Sequence, residues 1–247
     1  MADSEDLAGG DPSAYQAAES QGGSHAARLN SLRAAVLGAN DGIVSTAGIV
    51  IGVAGATLVP FAILTAGIAG LTAGALSMAV GEYVSVSAQR DTEKALLDKE
   101  RRELAEMPEE ELAELAGLYE AKGLDADLAL QVATQLHAHD ALAAHAETEL
   151  GIDPENLTSP WIAAASSAVS FTIGSVLPLL AIMLAPTSLK VLITVVAVAA
   201  ALVLTGYLSA RAGGTSHTRS IFRNVAGGLL AMGVTYWIGR LVGHSLG

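Results

Sequence analysis

The chain of 247 residues contains no cysteine, and aromatic residues make up only 4% of it. The absence of cysteine excludes disulfide bonds and thiolate metal sites. Basic residues are also scarce, with 13 Lys and Arg against 25 Asp and Glu and a formal net charge of −12. An acidic chain of this kind is not expected to bind nucleic acid, which requires a basic surface. The sequence also lacks a P-loop, a nucleophile elbow and an HExxH motif, so we expect neither enzymatic activity nor a prosthetic group.

Apolar residues are abundant, at 51% of the chain, and the mean hydropathy is +0.47. They are gathered into five long blocks instead of being interspersed with polar residues. A block of about 20 apolar residues is long enough to cross the roughly 30 Å hydrocarbon layer of a bilayer as a helix. The blocks cover residues 32–58, 61–86, 161–184, 189–208 and 221–242. The sequence therefore predicts an all-α membrane protein with five transmembrane helices in a lipid bilayer.

The polar remainder of the chain lies in two places. Residues 1–27 form an acidic tail without the apolar region of a secretory signal, and we expect this tail to be disordered. Residues 28–86 then hold transmembrane helices 1 and 2, and residues 158–247 hold helices 3 to 5. Between them lies an acidic insert, residues 87–157, which carries most of the acidic residues of the chain. The negative charge is therefore a local property of this insert.

The distribution of basic residues predicts the orientation in the membrane. With five spans, the tail, the insert and the loop between spans 4 and 5 share one side, which holds eleven of the thirteen Lys and Arg; Lys190 and Arg240 are the exceptions. Short loops rich in Lys and Arg remain in the cytoplasm. We therefore expect the N-terminus and the insert to be cytoplasmic and the C-terminus outside. The charge, the composition of the tail and the lack of a targeting segment favour a prokaryotic inner membrane.

The second block continues into the insert without a helix stop signal. No proline occurs from Phe61 to Met107, and Pro108 is the first expected boundary. Two shorter amphipathic helices follow, over residues 108–122 and 125–150. Gly123 and Gly151 come after them and are plausible helix ends. The insert is therefore predicted to be a three-helix cytoplasmic domain between spans 2 and 3.

Two acidic residues, Asp41 and Glu82, lie inside the apolar blocks. An ionised carboxylate is costly in a bilayer, so such residues face a bundle interior or a water-filled path and commonly have a function. Met78 precedes Glu82 by four residues and shares its helix face. A thioether beside carboxylates suits a borderline divalent ion such as Fe²⁺ better than Ca²⁺. The other interpretations are hydrogen bonds to neighbouring helices, an interfacial position for Glu82, and core packing for Met78.

Acidic residues and histidines recur along the helices of the insert. Their spacing places several of them on common helix faces. The candidates are Glu93, Glu100 and Glu103 on the first helix, Glu110, Glu111 and Glu114 on the second, and His137, His139, Asp140, His145, Glu147 and Glu149 on the third. Carboxylates with a few imidazoles are typical ligands of Fe²⁺ and Mn²⁺. Acidic helices with nearby Lys and Arg are as often simply solvated, and spacing alone leaves both interpretations open.

Two motifs connect these residues to a known family. The tripeptide Asn40-Asp41-Gly42 and the run SMAVGEYVSVSAQRDTE, residues 77–93, resemble the vacuolar iron transporter family and its bacterial relatives. The resemblance extends from residue 29 to the C-terminus. It implies five membrane helices, a three-helix cytoplasmic metal-binding domain and a homodimer with the ion path between subunits. It also implies export of Fe²⁺ and related ions such as Mn²⁺ or Co²⁺ from the cytosol in exchange for protons.

The resemblance also implies a set of site residues. The membrane path would include Asp41, Met78 and Glu82. The cytoplasmic ligands would be Glu100, Glu103, Glu111 and Glu114, with Glu149 from the third helix and Glu147 as its rival. The family can use methionines on that helix where this chain has His145 and Ala146, so His145 is a possible substitute. A passive divalent-cation channel, a metal sensor and a membrane-anchored ferroxidase are the alternatives, although no histidine here has the Glu-x-x-His spacing of di-iron proteins.

Overall fold

The computed structural model describes residues 35–246, and the predicted disordered tail lies outside this range. Every regular element in the described range is helical. The α-helices are α1 (Ala35–Ala56), α2 (Pro60–Glu106), α3 (Pro108–Ala121), α4 (Ala126–His145), α5 (Pro160–Leu184), α6 (Lys190–Ala212) and α7 (His217–Leu246). A π-helical turn, Ala146–Leu150, follows α4, and a 3₁₀ turn, Thr187–Leu189, precedes α6.

Five of these helices, α1, α2, α5, α6 and α7, have the length and apolar composition needed to cross a bilayer. The predicted five spans are therefore confirmed, and the protein is an integral membrane protein. Large apolar side chains are widely exposed, such as Leu184 at 80% and Phe222 at 74%, as expected of surfaces solvated by lipid. Helices α6 and α7 extend beyond the predicted blocks because their polar ends, near Arg211 and His217, continue the helix past the apolar stretch.

The chain divides into two compact units. We call the first, residues 35–79 and 165–246, the membrane unit, and the second, Val80–Ala164, the insert unit. Helix α2 contributes to both, because it continues without interruption from Pro60 to Glu106. The long helix that the sequence predicts is thus present, and Pro108 begins the next one.

Helix α1 packs closely in the membrane unit because glycines line its contacts. A Cβ added to Gly42 would lie 2.1 Å from the carbonyl oxygen of Phe171, and one added to Gly174 would lie 2.0 Å from that of Ala39. Small residues allow membrane helices to approach to this degree. The apolar core of the membrane unit is formed by buried side chains of α1, α2, α5, α6 and α7: Ile43, Val50, Ile51, Ile63, Ile182, Val198, Leu202 and Met232.

The insert unit has a small core of its own between α3 and α4. Leu115, Ala116 and Ala133 are buried there, and Tyr119 shares a hydrogen bond of 3.2 Å with Thr148. Both predicted helix ends, Gly123 and Gly151, have positive φ angles of 105° and 65°, which glycine adopts without a steric cost.

The helix predicted over residues 125–150 is present from Ala126 to Leu150, but it is not regular. The backbone of Asp140 leaves the helical region, with φ −156° and ψ 97°. Its Oδ1 atom accepts a hydrogen bond of 2.9 Å from the backbone N–H of Ala143, so Asp140 acts as the N-cap of a second helical segment. Asp competes with helical hydrogen bonding in this way, which favours caps over helix interiors. The C-terminal turn then becomes π-helical at Ala146–Leu150.

Candidate metal centre

Three side chains from three helices meet inside the insert unit: Glu100 of α2, Glu111 of α3 and His145 of α4. One ligand atom of each lies within 4.8 Å of the other two. The Nδ1 atom of His145 is 2.9 Å from Oε1 of Glu100 and 3.6 Å from Oε2 of Glu111. The exposed fractions of Glu100, Glu111 and His145 are 3%, 5% and 0%. We call these residues the carboxylate–histidine cluster; within residues 35–246 it is the only such group of three.

The cluster contains buried polar atoms that lack hydrogen-bond partners among the described residues. They are Oε1 of Glu100 and both ring nitrogens of His145. The 2.9 Å approach of Nδ1 to Glu100 is short, but it lacks the alignment of a hydrogen bond. A buried polar group without a partner costs about 1–3 kcal/mol, so folded proteins rarely retain one without a reason. Their convergence in one place makes the cluster a candidate cation site.

Electrostatics at the cluster favour the uncharged forms of its members. Burial, reinforced by neighbouring carboxylates, raises the pKa of Glu100 to about 7; this residue lies on α2 beyond its apolar block. Burial also raises the pKa of Glu111 and of Glu149, and it lowers the pKa of His145. A divalent cation would reverse the effect on the carboxylates, because an adjacent positive charge stabilises the ionised form. The neutral imidazole is already the form that binds a metal.

The other predicted ligands of the insert unit lie around the cluster or outside it. Glu149 has an oxygen 4.0 Å from Nδ1 of the cluster histidine, and 30% of its side chain is exposed. Glu103 forms an ion pair of 2.5 Å with Lys99 and is partly exposed. Glu114 and Glu147 are exposed. The structure thus brings three predicted ligands together, with Glu149 partly exposed at their edge, and leaves Glu103, Glu114 and Glu147 outside the cluster.

The donor set of the cluster determines which ions it suits. Two carboxylates and an imidazole are ligands for Fe²⁺, Mn²⁺, Co²⁺ and Zn²⁺, whereas Ca²⁺ sites use oxygen atoms alone. The alternative of a merely solvated acidic face does not describe Glu100, Glu111 or His145, because all three are buried. It does describe Glu114 and Glu147.

Two of the residues predicted for the membrane path, Asp41 and Met78, lie in the membrane unit. Asp41 lies on α1 and is exposed, and its Oδ1 accepts a hydrogen bond of 3.1 Å from Ser45 of the same helix. Met78 is half-buried in the membrane unit, and Glu82, also half-buried, belongs to the insert unit. Among the described residues, Asp41 makes its side-chain hydrogen bond within its own helix, so the suggested bond to a neighbouring helix is not what holds it.

A polar network beside Asp41 was not predicted. The Oδ1 atom of Asn40 accepts hydrogen bonds from Oγ1 of Thr205, at 3.1 Å, and from Nδ2 of Asn224, at 3.2 Å. The network joins α1, α6 and α7 inside the membrane unit. The available signal was the presence of Asn40 and Asn224 at the polar margins of apolar blocks, but sequence alone does not pair residues so far apart.

Comparison with known proteins decides the family. The model of the VIT family matches residues 32–240 of the chain. The chain belongs to the VIT family. The resemblance predicted from the two motifs is therefore confirmed, and all of the predicted site residues lie within the matched range.

Named relatives match over most of their length. The chain is 44% identical over 211 residues to the vacuolar iron transporter of Acanthamoeba castellanii, an alignment that covers 85% of this chain and 78% of that protein. It is 38% identical over 223 residues to vacuolar iron transporter homolog 1 of Oryza sativa subsp. japonica, covering 90% and 78%. It is 35% identical over 213 residues to vacuolar iron transporter homolog 2 of Arabidopsis thaliana, covering 86% and 84%.

Proposed function

We propose that this protein is a divalent metal transporter that moves Fe²⁺, and Mn²⁺ as a second substrate, out of the cytosol in exchange for protons. Membership of the VIT family and the names of the relatives support transport of a metal. Five membrane-spanning helices provide the scaffold that transport requires. The observation that carries the proposal is the buried carboxylate–histidine cluster, whose donor set matches these ions.

The cluster would serve to capture the ion. Glu100, Glu111 and His145 supply two carboxylates and one imidazole, and Glu149 adds a third carboxylate at 4.0 Å from the imidazole. Lys99 is the one basic group whose charge lowers the pKa of Glu111 and Glu149, so the local field is negative. A negative field raises the local concentration of cations. In the proposed orientation, this acidic unit faces the cytoplasm and loads the transporter from there.

The membrane path would use Asp41, Met78 and Glu82. Asp41 is exposed on α1 in the single chain, and an exposed carboxylate on a membrane helix needs a polar or protein-covered environment. A homodimer with the path between its subunits would provide that environment. Protons from outside would compete with metal for these carboxylates, and protonation would remove ligand charge and release the ion outward.

Flux into proteoliposomes tests the transport proposal. Fe²⁺ and Mn²⁺ uptake is measured with and without an imposed pH gradient, while a dye reports the luminal pH. We expect uptake that increases with the gradient and a luminal pH that changes in step with it. Metal flux that ignores the gradient would instead indicate a passive channel, and metal binding without flux would indicate a sensor.

The substitution Asp41→Asn tests the membrane path, because it keeps the size of the side chain and removes its titratable charge. We expect proton-coupled metal flux to fall to the level of empty liposomes. Ser45→Ala is the matched control, since it removes only the hydroxyl that donates to Asp41, and it should retain most of the flux. Wild-type coupled flux in Asp41→Asn would contradict the assigned role.

A further inference from the structure

A second histidine lies beside the carboxylate–histidine cluster. The ring centroids of His137 and His145 are 5.9 Å apart, with an angle of 80° between the ring planes. The Nδ1 atom of His137 is buried and has no hydrogen-bond partner among the described residues. His139, two residues further on, is exposed. The two neighbouring histidines of α4 therefore have different environments.

The break in α4 explains why His137 and His145 are close. Eight residues span about 12 Å along the axis of a regular α-helix, which is twice the observed separation of the rings. The non-helical backbone of Asp140 lies between the two histidines and divides α4 into two segments. The cap bond from Ala143 to Asp140 holds this break in place. The same local feature that departs from a regular helix thus brings the second imidazole close to the ring of His145.

The spacing of the two ring centroids suits one shared ion, but His137 is not among the residues whose ligand atoms all lie within 4.8 Å of one another, so its ring has to move toward the cluster when the ion binds. A ring nitrogen binds a metal of this class at about 2.0–2.1 Å, which puts the centroids of two ligating imidazoles at about 4.5–6 Å from each other for ordinary ligand angles. The edge-to-face arrangement is also an ordinary aromatic contact. Packing alone, however, leaves three ring nitrogens, one of His137 and two of His145, buried without partners.

We propose that His137 is a second imidazole ligand of the cation at the carboxylate–histidine cluster. The inference rests on the proposed function, in which the cluster binds the transported metal. Two imidazoles favour ions that accept nitrogen ligands, such as Co²⁺, Zn²⁺ and Fe²⁺, over Mn²⁺, which is satisfied by oxygen ligands. His137 is then a determinant of metal specificity in the insert unit, and the glutamates supply affinity for all of these ions.

The test measures binding of two metals to the purified full-length protein in detergent. Co²⁺ binding is followed by its visible absorption spectrum, which reports the number and type of ligands, and Mn²⁺ binding is followed by the free-ion magnetic resonance signal. In the variant His137→Ala we expect Co²⁺ affinity to fall at least about tenfold, the scale seen when metal sites lose supporting groups. Mn²⁺ affinity should change by less than about threefold. The matched control His139→Ala should alter neither affinity nor spectrum.

A second variant separates ligation from packing. His137→Phe keeps an aromatic ring against His145 but has no ring nitrogen, so it should lose Co²⁺ affinity and the imidazole contribution to the spectrum as His137→Ala does. Wild-type Co²⁺ affinity and spectrum in His137→Phe would overturn the proposal and leave an aromatic contact only. If Glu111→Gln also binds both metals as the wild type does, the cluster does not capture the ion. If Glu111→Gln loses affinity while the His137 variants bind as the wild type does, the cluster captures the ion and His137 is not one of its ligands.

Discussion

The two units of this protein differ in how most of their buried polar side chains are partnered, although Oγ1 of Thr46 in the membrane unit is also buried without a partner among the described residues. In the membrane unit, Asn40 is paired with Thr205 and Asn224, and Ser175 donates a hydrogen bond of 3.2 Å to the carbonyl of Gly42. In the insert unit, the buried carboxylates and histidines converge with several of their atoms unpartnered. Paired polar atoms hold helices together, whereas unpartnered titratable atoms at one point are suited to receive a charged ligand. The contrast is therefore between hydrogen-bonded polar groups that join helices and titratable groups that converge without partners.

The largest effect is expected from Glu111→Gln, which removes one buried charge from the cluster at nearly constant volume. We expect the affinity for Mn²⁺ or Fe²⁺ to fall by at least about 100-fold, since loss of a ligand should exceed the loss of a supporting group. In the presence of a chelator, the same variant should unfold at a higher temperature than the wild type, because a buried charge without a partner is destabilising. Thermal unfolding in detergent and metal titration measure the two effects.

The control for this substitution is its exposed neighbour Glu110. Glu110→Gln should keep metal affinity within about twofold of the wild-type value and leave the unfolding temperature unchanged, because an exposed charge contributes little to stability. If Glu111→Gln instead unfolds at a lower temperature than the wild type in the presence of a chelator, Glu111 is paired in the metal-free protein. The insert unit would then partner its buried polar atoms as the membrane unit does.

An intermediate effect is expected from pH. Because Glu100 has a pKa of about 7 in the folded protein and 4.5 ordinarily, protons compete with metal at this residue as the pH falls through 7. Metal affinity should fall about tenfold per pH unit for each proton displaced. Titrations of Mn²⁺ between about pH 8 and pH 6 measure this slope. Glu100→Gln should flatten it, and an equally steep slope in that variant would assign the competing proton elsewhere.

Metal affinity should fall as the pH falls, whereas the stability of the metal-free protein should rise as the buried carboxylates become protonated. A carboxyl whose pKa is raised by folding opposes folding once it ionises, so the contribution of Glu100 is lost as the pH rises from about 4.5 to about 7. His145, whose pKa is lowered, opposes folding as the pH falls below 6.5. Three carboxylates with raised pKa values outnumber this histidine, so chelated protein should be less stable at neutral pH than at mildly acidic pH. Thermal unfolding across this range measures the difference.

The smallest effect is expected in the membrane unit. Asn40→Ala removes the acceptor shared by Thr205 and Asn224 and should lower the free energy of unfolding by about 1 kcal/mol, the scale of hydrogen bonds between membrane helices. Unfolding in mixed detergent measures it. Ser245→Ala, which loses only a bond to its own helix, should be neutral. A stabilising effect of Asn40→Ala would mean that this network, like the cluster, is kept for function.

The sequence predicted those features that depend on local composition. Five apolar blocks are sufficient to predict five spans, and the absence of proline before Pro108 predicts the length of α2. The break at Asp140 was not predicted, because Asp is tolerated in many helices and its side-chain bond to Ala143 depends on the conformation itself. The positive-φ ends at Gly123 and Gly151 were predicted, because glycine is the residue best suited to that conformation.

The candidate site was predicted only in part, because it depends on which helix faces meet. Spacing and the family resemblance identified Glu100 and Glu111, and gave His145 as a possible substitute for a methionine. They gave the same weight to Glu114, which is exposed. Helix periodicity defines the face on which a residue lies, and it does not define the partner of that face. The pairing of Asn40 with Asn224 was missed for the same reason.

The unpartnered charges of the insert unit have a consequence for the lifetime of the protein. A ligand that binds only the folded state stabilises it by about 2.7 kcal/mol when its concentration is 100 times its dissociation constant. A unit whose buried carboxylates are neutralised by metal is therefore most stable when metal is plentiful and more open to proteolysis when metal is scarce. The amount of transporter in the membrane would then follow the supply of its substrate without a transcriptional signal.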